Sequence, residues 1–223
     1  MAPTAAPTHD GPVMTTRRRL GVRVPLTGLA ASLLALLLLP SLAFGAEWTK
    51  LDRVTSNGGS RLDSLHQVAA AKGVLHLAHA RIGPKAADDK VVYQRSGNDG
   101  ASWSGERAIF KANARHRKVA PNLAVDAYGQ IVVVAFRVSG PAGHTLFARV
   151  SRNGGKAFAK RVALFSTSRP EGIGVPAVSI GDEVIAVAWT NRADGEVKVR
   201  TSRTEGRSFK AARTLGTTKM SID

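Results

Sequence analysis

One eight-residue pattern occurs three times and constrains the fold of this chain more than any other feature. Its copies are Ser96-Gly97-Asn98-Asp99-Gly100-Ala101-Ser102-Trp103, Ser151-Arg152-Asn153-Gly154-Gly155-Lys156-Ala157-Phe158 and Ser202-Arg203-Thr204-Glu205-Gly206-Arg207-Ser208-Phe209. The shared frame is Ser, any residue, Asn or Thr, any residue, Gly, two more residues, then Trp or Phe. Copies that begin 55 and 51 residues apart mark a repeat architecture of small supersecondary units. Each residue type has a role in a tight turn. Asn98 and Asn153 can bond nearby backbone and tolerate a left-handed conformation. Gly100, Gly155 and Gly206 take positive φ without a Cβ clash. Ser96, Ser151 and Ser202 can tie the turn to its own backbone. Trp103, Phe158 and Phe209 are apolar anchors beneath it. These are structural roles, not catalytic ones.

Each turn sits late in a longer unit. In the second unit, Ala120 to Asp126 alternates, Ile131 to Phe136 is a β-branched run, Leu146 to Val150 is a third strand, and Phe158 to Leu164 a fourth. The third unit repeats this with Val175 to Ile180, Val184 to Trp189, Val197 to Arg200 and a strand opened by Phe209. The first is more degenerate: Leu65 to Ala70, Val74 to His79, Val91 to Arg95 and Trp103 to Ile109. Four short strands joined by Gly-bearing turns, repeating at this period, predict an all-β chain of four-stranded antiparallel propeller blades. A β-sandwich is the alternative, but it has no reason to repeat one hairpin sequence three times. The blades run approximately over residues 60–110, 111–165 and 166–216.

Residues 1–45 read as leader. Arg17, Arg18, Arg19 and Arg23 precede an uncharged Leu- and Ala-rich run from Leu26 to Leu39, and small residues flank Phe44. That is a secretory signal peptide with cleavage near Gly45-Ala46, and Met14 is an alternative start. The apolar run falls short of the ~20 residues that span a bilayer. No membrane span is expected after cleavage, and the protein is expected to be secreted. The chain has no Cys, so neither a disulfide framework nor a Cys-based metal site is available. Its formal net charge is +16, with Arg and Lys spread along the chain. Such a balance favours anionic partners, here an anionic glycan or cell-wall polymer, or it solvates outer strands. No nucleic-acid module or phosphate-cradling Gly loop is present. The His residues show no ligand spacing, so no metal and no cofactor are expected.

The repeated turn resembles the Asp-box, or bacterial neuraminidase repeat, of sialidase-like β-propellers. The resemblance covers about Trp48 to Leu215. It implies a secreted, glycan-associated propeller, usually of about six blades, so that this chain holds half a ring. Active members are exo-sialidases, and others with the same box are binding modules or other glycosidases. Fold alone does not settle activity. The family's chemistry uses three arginines that clamp a substrate carboxylate, a Tyr assisted by a Glu, and an Asp as acid/base. Here Arg81-Ile82-Gly83-Pro84 departs from the family's Arg-Ile-Pro motif. Tyr93 and Tyr128 are the only tyrosines, and neither has a Glu placed by motif.

The candidate ligand-binding residues are Arg81, Arg137 and Arg192, placed just beyond the second strand of each blade, with Arg61 and Arg115 in between-blade loops. Asp63, Asp88, Asp89 and Glu171 are the carboxylates to test as acid or base. Trp48 to Val54 reads as an orphan outer strand without a turn motif before it. Three blades are fewer than close a ring. Two explanations stay open: a partial gene product, or a homodimer that completes the ring and covers the exposed edges. The functional expectation is a secreted, non-catalytic binder of an anionic glycan or envelope polymer. The alternatives are an exo-sialidase or related glycoside hydrolase with an incomplete catalytic set, and a protein-interaction scaffold.

Overall fold

The computed structural model describes residues 62–113, 118–169 and 172–217. The leader, the cleavage site, the Trp48 to Val54 segment, Arg61, Arg115 and Glu171 lie outside them, as does the side chain of Asp63. Twelve strands make three separate four-stranded antiparallel sheets, each in plain meander order. Blade 1 holds β1 (Leu62–Ala71), β2 (Val74–Ile82), β3 (Lys90–Ser96) and β4 (Arg107–Lys111). Blade 2 holds β5 (Lys118–Tyr128), β6 (Ile131–Gly140), β7 (Gly143–Ser151) and β8 (Val162–Thr167). Blade 3 holds β9 (Ala177–Ile180), β10 (Ile185–Asn191), β11 (Glu196–Ser202) and β12 (Arg213–Thr217). The helical content of the described residues is one short 3-10 turn, Ala86–Asp88. The expected all-β, four-stranded blades are what the chain forms.

The first strands of the three blades are neighbours: β5 packs beside both β1 and β9. Burial between blades explains the strand patterns. Val132 to Phe136 of β6 are all fully buried. Val132, Val134 and Phe136 face a core shared with blade 1, where Phe110, Phe136 and Phe147 meet at ring separations of 5.4 to 6.5 Å. Val133 and Ala135 face a second core shared with blade 3, which contains Trp189 and Phe165 at 5.5 Å. A strand covered on both faces needs no polar alternation. In β10 only alternate residues, Ile185, Val187, Trp189 and Asn191, are buried, and the sequence there alternates less visibly because Ala fills the other face.

The three turns share one hydrogen-bond scheme. The Ser Oγ accepts from the Gly backbone N–H at 2.9 Å in every copy, at Gly100, Gly155 and Gly206. The same hydroxyl donates to Asn98 Oδ1 and to Asn153 Oδ1, each at 2.9 Å. Those oxygens then accept from the N–H of Ser102 and Ala157 at 2.9 and 2.8 Å. In the third copy Thr204 Oγ1 takes this role and accepts from Ser208 N–H at 3.0 Å. The fourth and fifth positions of every copy are left-handed, with φ of 54° and 91°, 63° and 77°, and 51° and 73°. The fourth position therefore carries a backbone requirement that its varied residues, Asp99, Gly154 and Glu205, do not advertise.

Two features depart from the sequence-based expectation. The fourth strands begin at Arg107, Val162 and Arg213, not at the turn aromatics. After each aromatic, one N–H reaches back to the third strand: Ser104 to Arg95 O, Ala159 to Val150 O and Lys210 to Thr201 O, at 2.8 to 2.9 Å. The chain then leaves the ladder before regular pairing resumes. The second strands also run further than expected, so Arg81 lies inside β2 and Arg137 inside β6, while Arg192 follows β10.

Candidate functional site

Register fixes where the three arginines point. The turn serines pair with Leu75, Val132 and Ile185, which makes these positions equivalent among the blades. Arg137, Arg81 and Arg192 are then five, six and seven residues further along, three different rows of the sheet. Side chains alternate between faces along a strand. Arg137 of β6 and Arg81 of β2 therefore point to opposite faces of their blades, while Arg192 sits in the turn after β10, and the expectation that all three lie in loops just beyond the second strands is corrected.

Arg81 is 3% exposed and held by Glu106 through two charge-assisted bonds of 2.6 Å. That bidentate geometry is the strong form of an Arg–carboxylate pair. Glu106 was not legible in the sequence, because it lies before β4 rather than near Arg81 along the chain.

Arg137 and Arg192 come together between blades 2 and 3, at the blade end opposite the repeated turns. Residues Gly172 to Gly174 run antiparallel to Thr190 to Arg192: Gly174 N–H donates to Thr190 O at 2.8 Å and Arg192 N–H to Gly172 O at 3.2 Å. Gly172 is left-handed at φ 69°, and a Cβ there would meet the His144 ring at 3.0 Å. His144 is fixed by Ser139, whose Oγ lies 2.8 Å from Nδ1. Against this segment Arg137 Nη1 donates to Ile173 O at 2.6 Å. Burial, and then the Arg192 charge, hold the Arg137 guanidinium below its ordinary pKa. Arg192 is exposed, and no carboxylate pairs with it among the described residues.

Polar atoms are left over beside this pair. Arg137 Nε, Trp189 Nε1 and Asn191 Oδ1 are buried without a hydrogen-bond partner among the described residues. Buried polar groups are nearly always bonded, so such a group calls for an explanation. The nearby carboxylate is Asp194, which sequence reasoning missed. Its Oδ2 accepts from Asn191 Nδ2 at 2.5 Å and its Oδ1 from Glu196 N–H at 2.9 Å. Both oxygens are occupied in shaping the β10–β11 turn. The arrangement sets one exposed guanidinium and one half-buried one beside the same segment, chemistry that suits an oxyanion.

The other candidates are placed as follows. Asp89 is buried, and its two oxygens accept from Gly83 N–H at 3.0 Å and from Val119 N–H at 3.1 Å, tying blade 1 to blade 2. Asp88 is half-buried in a shallow hollow with Lys90 and Lys111. The backbone of Asp63 pairs opposite Arg81. Tyr93 is buried and shares a 2.7 Å hydrogen bond with His76. Tyr128 is exposed at the β5–β6 turn and bonds Asp182 of blade 3. Neither tyrosine lies at the Arg137–Arg192 end. No group of three or more metal-ligating side chains occurs among the described residues.

No protein-family model matches the sequence, and no curated protein matches it. Solved structures do match the fold. A Trypanosoma rangeli sialidase in complex with sialic acid superposes with a TM-score of 0.50 at 15% identity over 66% of this chain. A GH93 α-L-arabinofuranosidase of Fusarium graminearum gives 0.49 at 13% identity over 68%, and a GH43_1 enzyme from Xanthomonas citri 0.45 at 11% over 68%. The chain spans 30% of the sialidase, 48% of the arabinofuranosidase and 54% of the GH43_1 enzyme. What this chain shares with the sialidase is an all-β propeller architecture of four-stranded antiparallel blades.

Proposed function

We propose that this is a secreted propeller protein of the Asp-box type that binds an anionic glycan or cell-envelope polymer without catalysis. The observation that carries the reading is the Arg137–Arg192 pair. Both residues bond the Gly172 to Gly174 segment, Arg137 through its guanidinium and Arg192 through its backbone N–H, and Arg192 is exposed with no carboxylate partner among the described residues. Planar guanidinium suits a carboxylate-bearing sugar through paired N–H donors. The identical Ser–Asn/Thr–Gly hydrogen bonding of the three turns supports the Asp-box assignment, and the fold shared with a sialidase supports a glycan ligand. The leader composition supports secretion.

A second reading, an exo-sialidase or related glycoside hydrolase, has less support from the described residues. It needs a nucleophile near the arginines, and both tyrosines are engaged elsewhere. A fluorogenic sialoside separates the readings, since turnover by the purified chain at any pH would overturn the non-catalytic one. Binding is checked by titration with sialyllactose and with oligogalacturonate. Arg192→Ala is expected to weaken the bound anion roughly tenfold or more, as loss of a charged hydrogen bond costs about 1.5–3 kcal/mol. Equal affinity in the wild type and the variant would remove Arg192 from the site.

A further inference from the structure

A different cluster lies at the turn end, where blade 1 faces the turn of blade 2. Cross-strand pairing puts His76 beside Arg95, and Tyr93 beside Arg107. Tyr93 and Arg95 are two apart on β3, so all four side chains share one face of blade 1. That face meets the second turn. Tyr93 packs edge-on against Phe158 at 4.8 Å, and a Cβ on Gly155 would fall 1.7 Å from the Tyr93 hydroxyl oxygen.

The same interface recurs between blades 2 and 3 with different residues. The positions equivalent to His76, Tyr93, Arg95 and Arg107 are Val133, Ala148, Val150 and Val162. These four are apolar and pack in or against the second core, and Gly206 of the third turn approaches Val150, the counterpart of Arg95, where Gly155 approaches Tyr93. The fold therefore makes this contact with hydrocarbon alone. Blade 1 replaces it with a histidine and a tyrosine, which pack and bond to each other in the core, and with two arginines, which bring charge to the contact.

Two hollows of about 260 and 240 Å³ open here and share Arg95 and Lys156. Arg107 and Tyr93 line the first, Lys72 and His76 the second. No carboxylate lines either one. Arg95 and Arg107 each commit Nη1 to a carbonyl of the second turn, Gly154 O and Lys156 O, which fixes them while leaving other N–H groups for a ligand. Arg95, Arg107 and Lys156 line the first hollow without a counter-charge and repel one another, and a bound anion relieves that repulsion.

We propose that the first hollow binds a compact oxyanion, a phosphate or sulfate monoester, with Arg95 and Arg107 as forked donors and Lys156 as a point charge. Planar forks and ammonium groups are the side chains that recognise such anions. The site is separate from the Arg137–Arg192 pair and stands whether or not that pair binds a glycan.

The test is calorimetric titration of the full chain with inorganic phosphate and, in a second arm, inorganic sulfate. Both arms are repeated in Arg192→Ala, so that the other rim does not contribute. Saturable one-to-one binding is expected, and the stronger arm identifies the ester. Exchanging the two forked donors for their blade 2 equivalents (Arg95→Val with Arg107→Val) should abolish binding. A second variant, Arg107→Gln with Lys156→Gln at two exposed positions, should weaken binding at least tenfold and keeps the test independent of how the valine variant folds. Absence of saturable binding in both arms would overturn the proposal. So would affinity unchanged in the Arg107→Gln, Lys156→Gln variant.

Discussion

At the scale of single residues, the turn serine does the most for its size. Ser151 is 1% exposed and satisfies the Gly155 and Asn153 backbone N–H groups while donating to Asn153 Oδ1. Ser151→Ala leaves a buried donor unmet and is expected to destabilise the chain by about 1–3 kcal/mol, read as a lowered melting temperature. His76 makes a second prediction. Burial first, and the Arg95 charge second, push its pKa from 6.5 down to about 4. The unfolded chain then takes up this proton before the folded one does. Stability is at its full value above about pH 6.5 and falls as the pH drops toward 4. His76→Val should flatten that part of a stability–pH curve, and an unchanged slope would show that His76 does not set it. The serines, glycines and aromatics of the turn were legible because local geometry demands those residue types. The left-handed fourth position was not, since Asp99 and Glu205 tolerate it without advertising it.

At the scale of elements, arginines on the third strands join each blade to the one before. Arg149 donates to Phe158 O at 3.1 Å and Ala159 O at 2.8 Å within blade 2, and to Ile109 O of blade 1 at 2.6 Å. Arg200 repeats this with Phe209 O, Lys210 O and Leu164 O of blade 2. These bonds satisfy the carbonyls of the segment where the fourth strand has left its ladder. The equivalent residue in blade 1 is Gln94, whose Nε2 bonds Ser104 O at 3.1 Å. Arg149→Met is expected to cost about 1.5–3 kcal/mol in chemical denaturation, with Arg149→Lys recovering only part, because one ammonium cannot reproduce a fork across two blades. Sequence reasoning read the arginines as solvent or ligand groups. Their function rests on carbonyls up to 40 residues away, which no local pattern encodes.

At the scale of the whole molecule, the repeat and its strand order were readable because hydrophobic period and turn chemistry act locally. The meeting of Arg137 with Arg192 was not, since it depends on register between blades and on the Gly172 to Gly174 segment lying beside β10. Burial also grades the molecule. Blade 2 has a core on each side, whereas every residue of β12 is exposed. Amide exchange is therefore expected to be slowest in β6 and fast in β12, since local opening follows the density of buried contacts. Equal protection in the two strands would contradict this gradient. The double covering of β6 also bears on how the sequence can drift. A substitution at Val133 disturbs one core and a substitution at its neighbour Val134 disturbs the other, so consecutive positions are all constrained. In β10 the constraint falls on every second residue. Variation accumulated over generations should leave Val132 to Phe136 uniformly apolar and let β10 wander at alternate sites, a difference imposed by the neighbours of each strand rather than by its own chemistry.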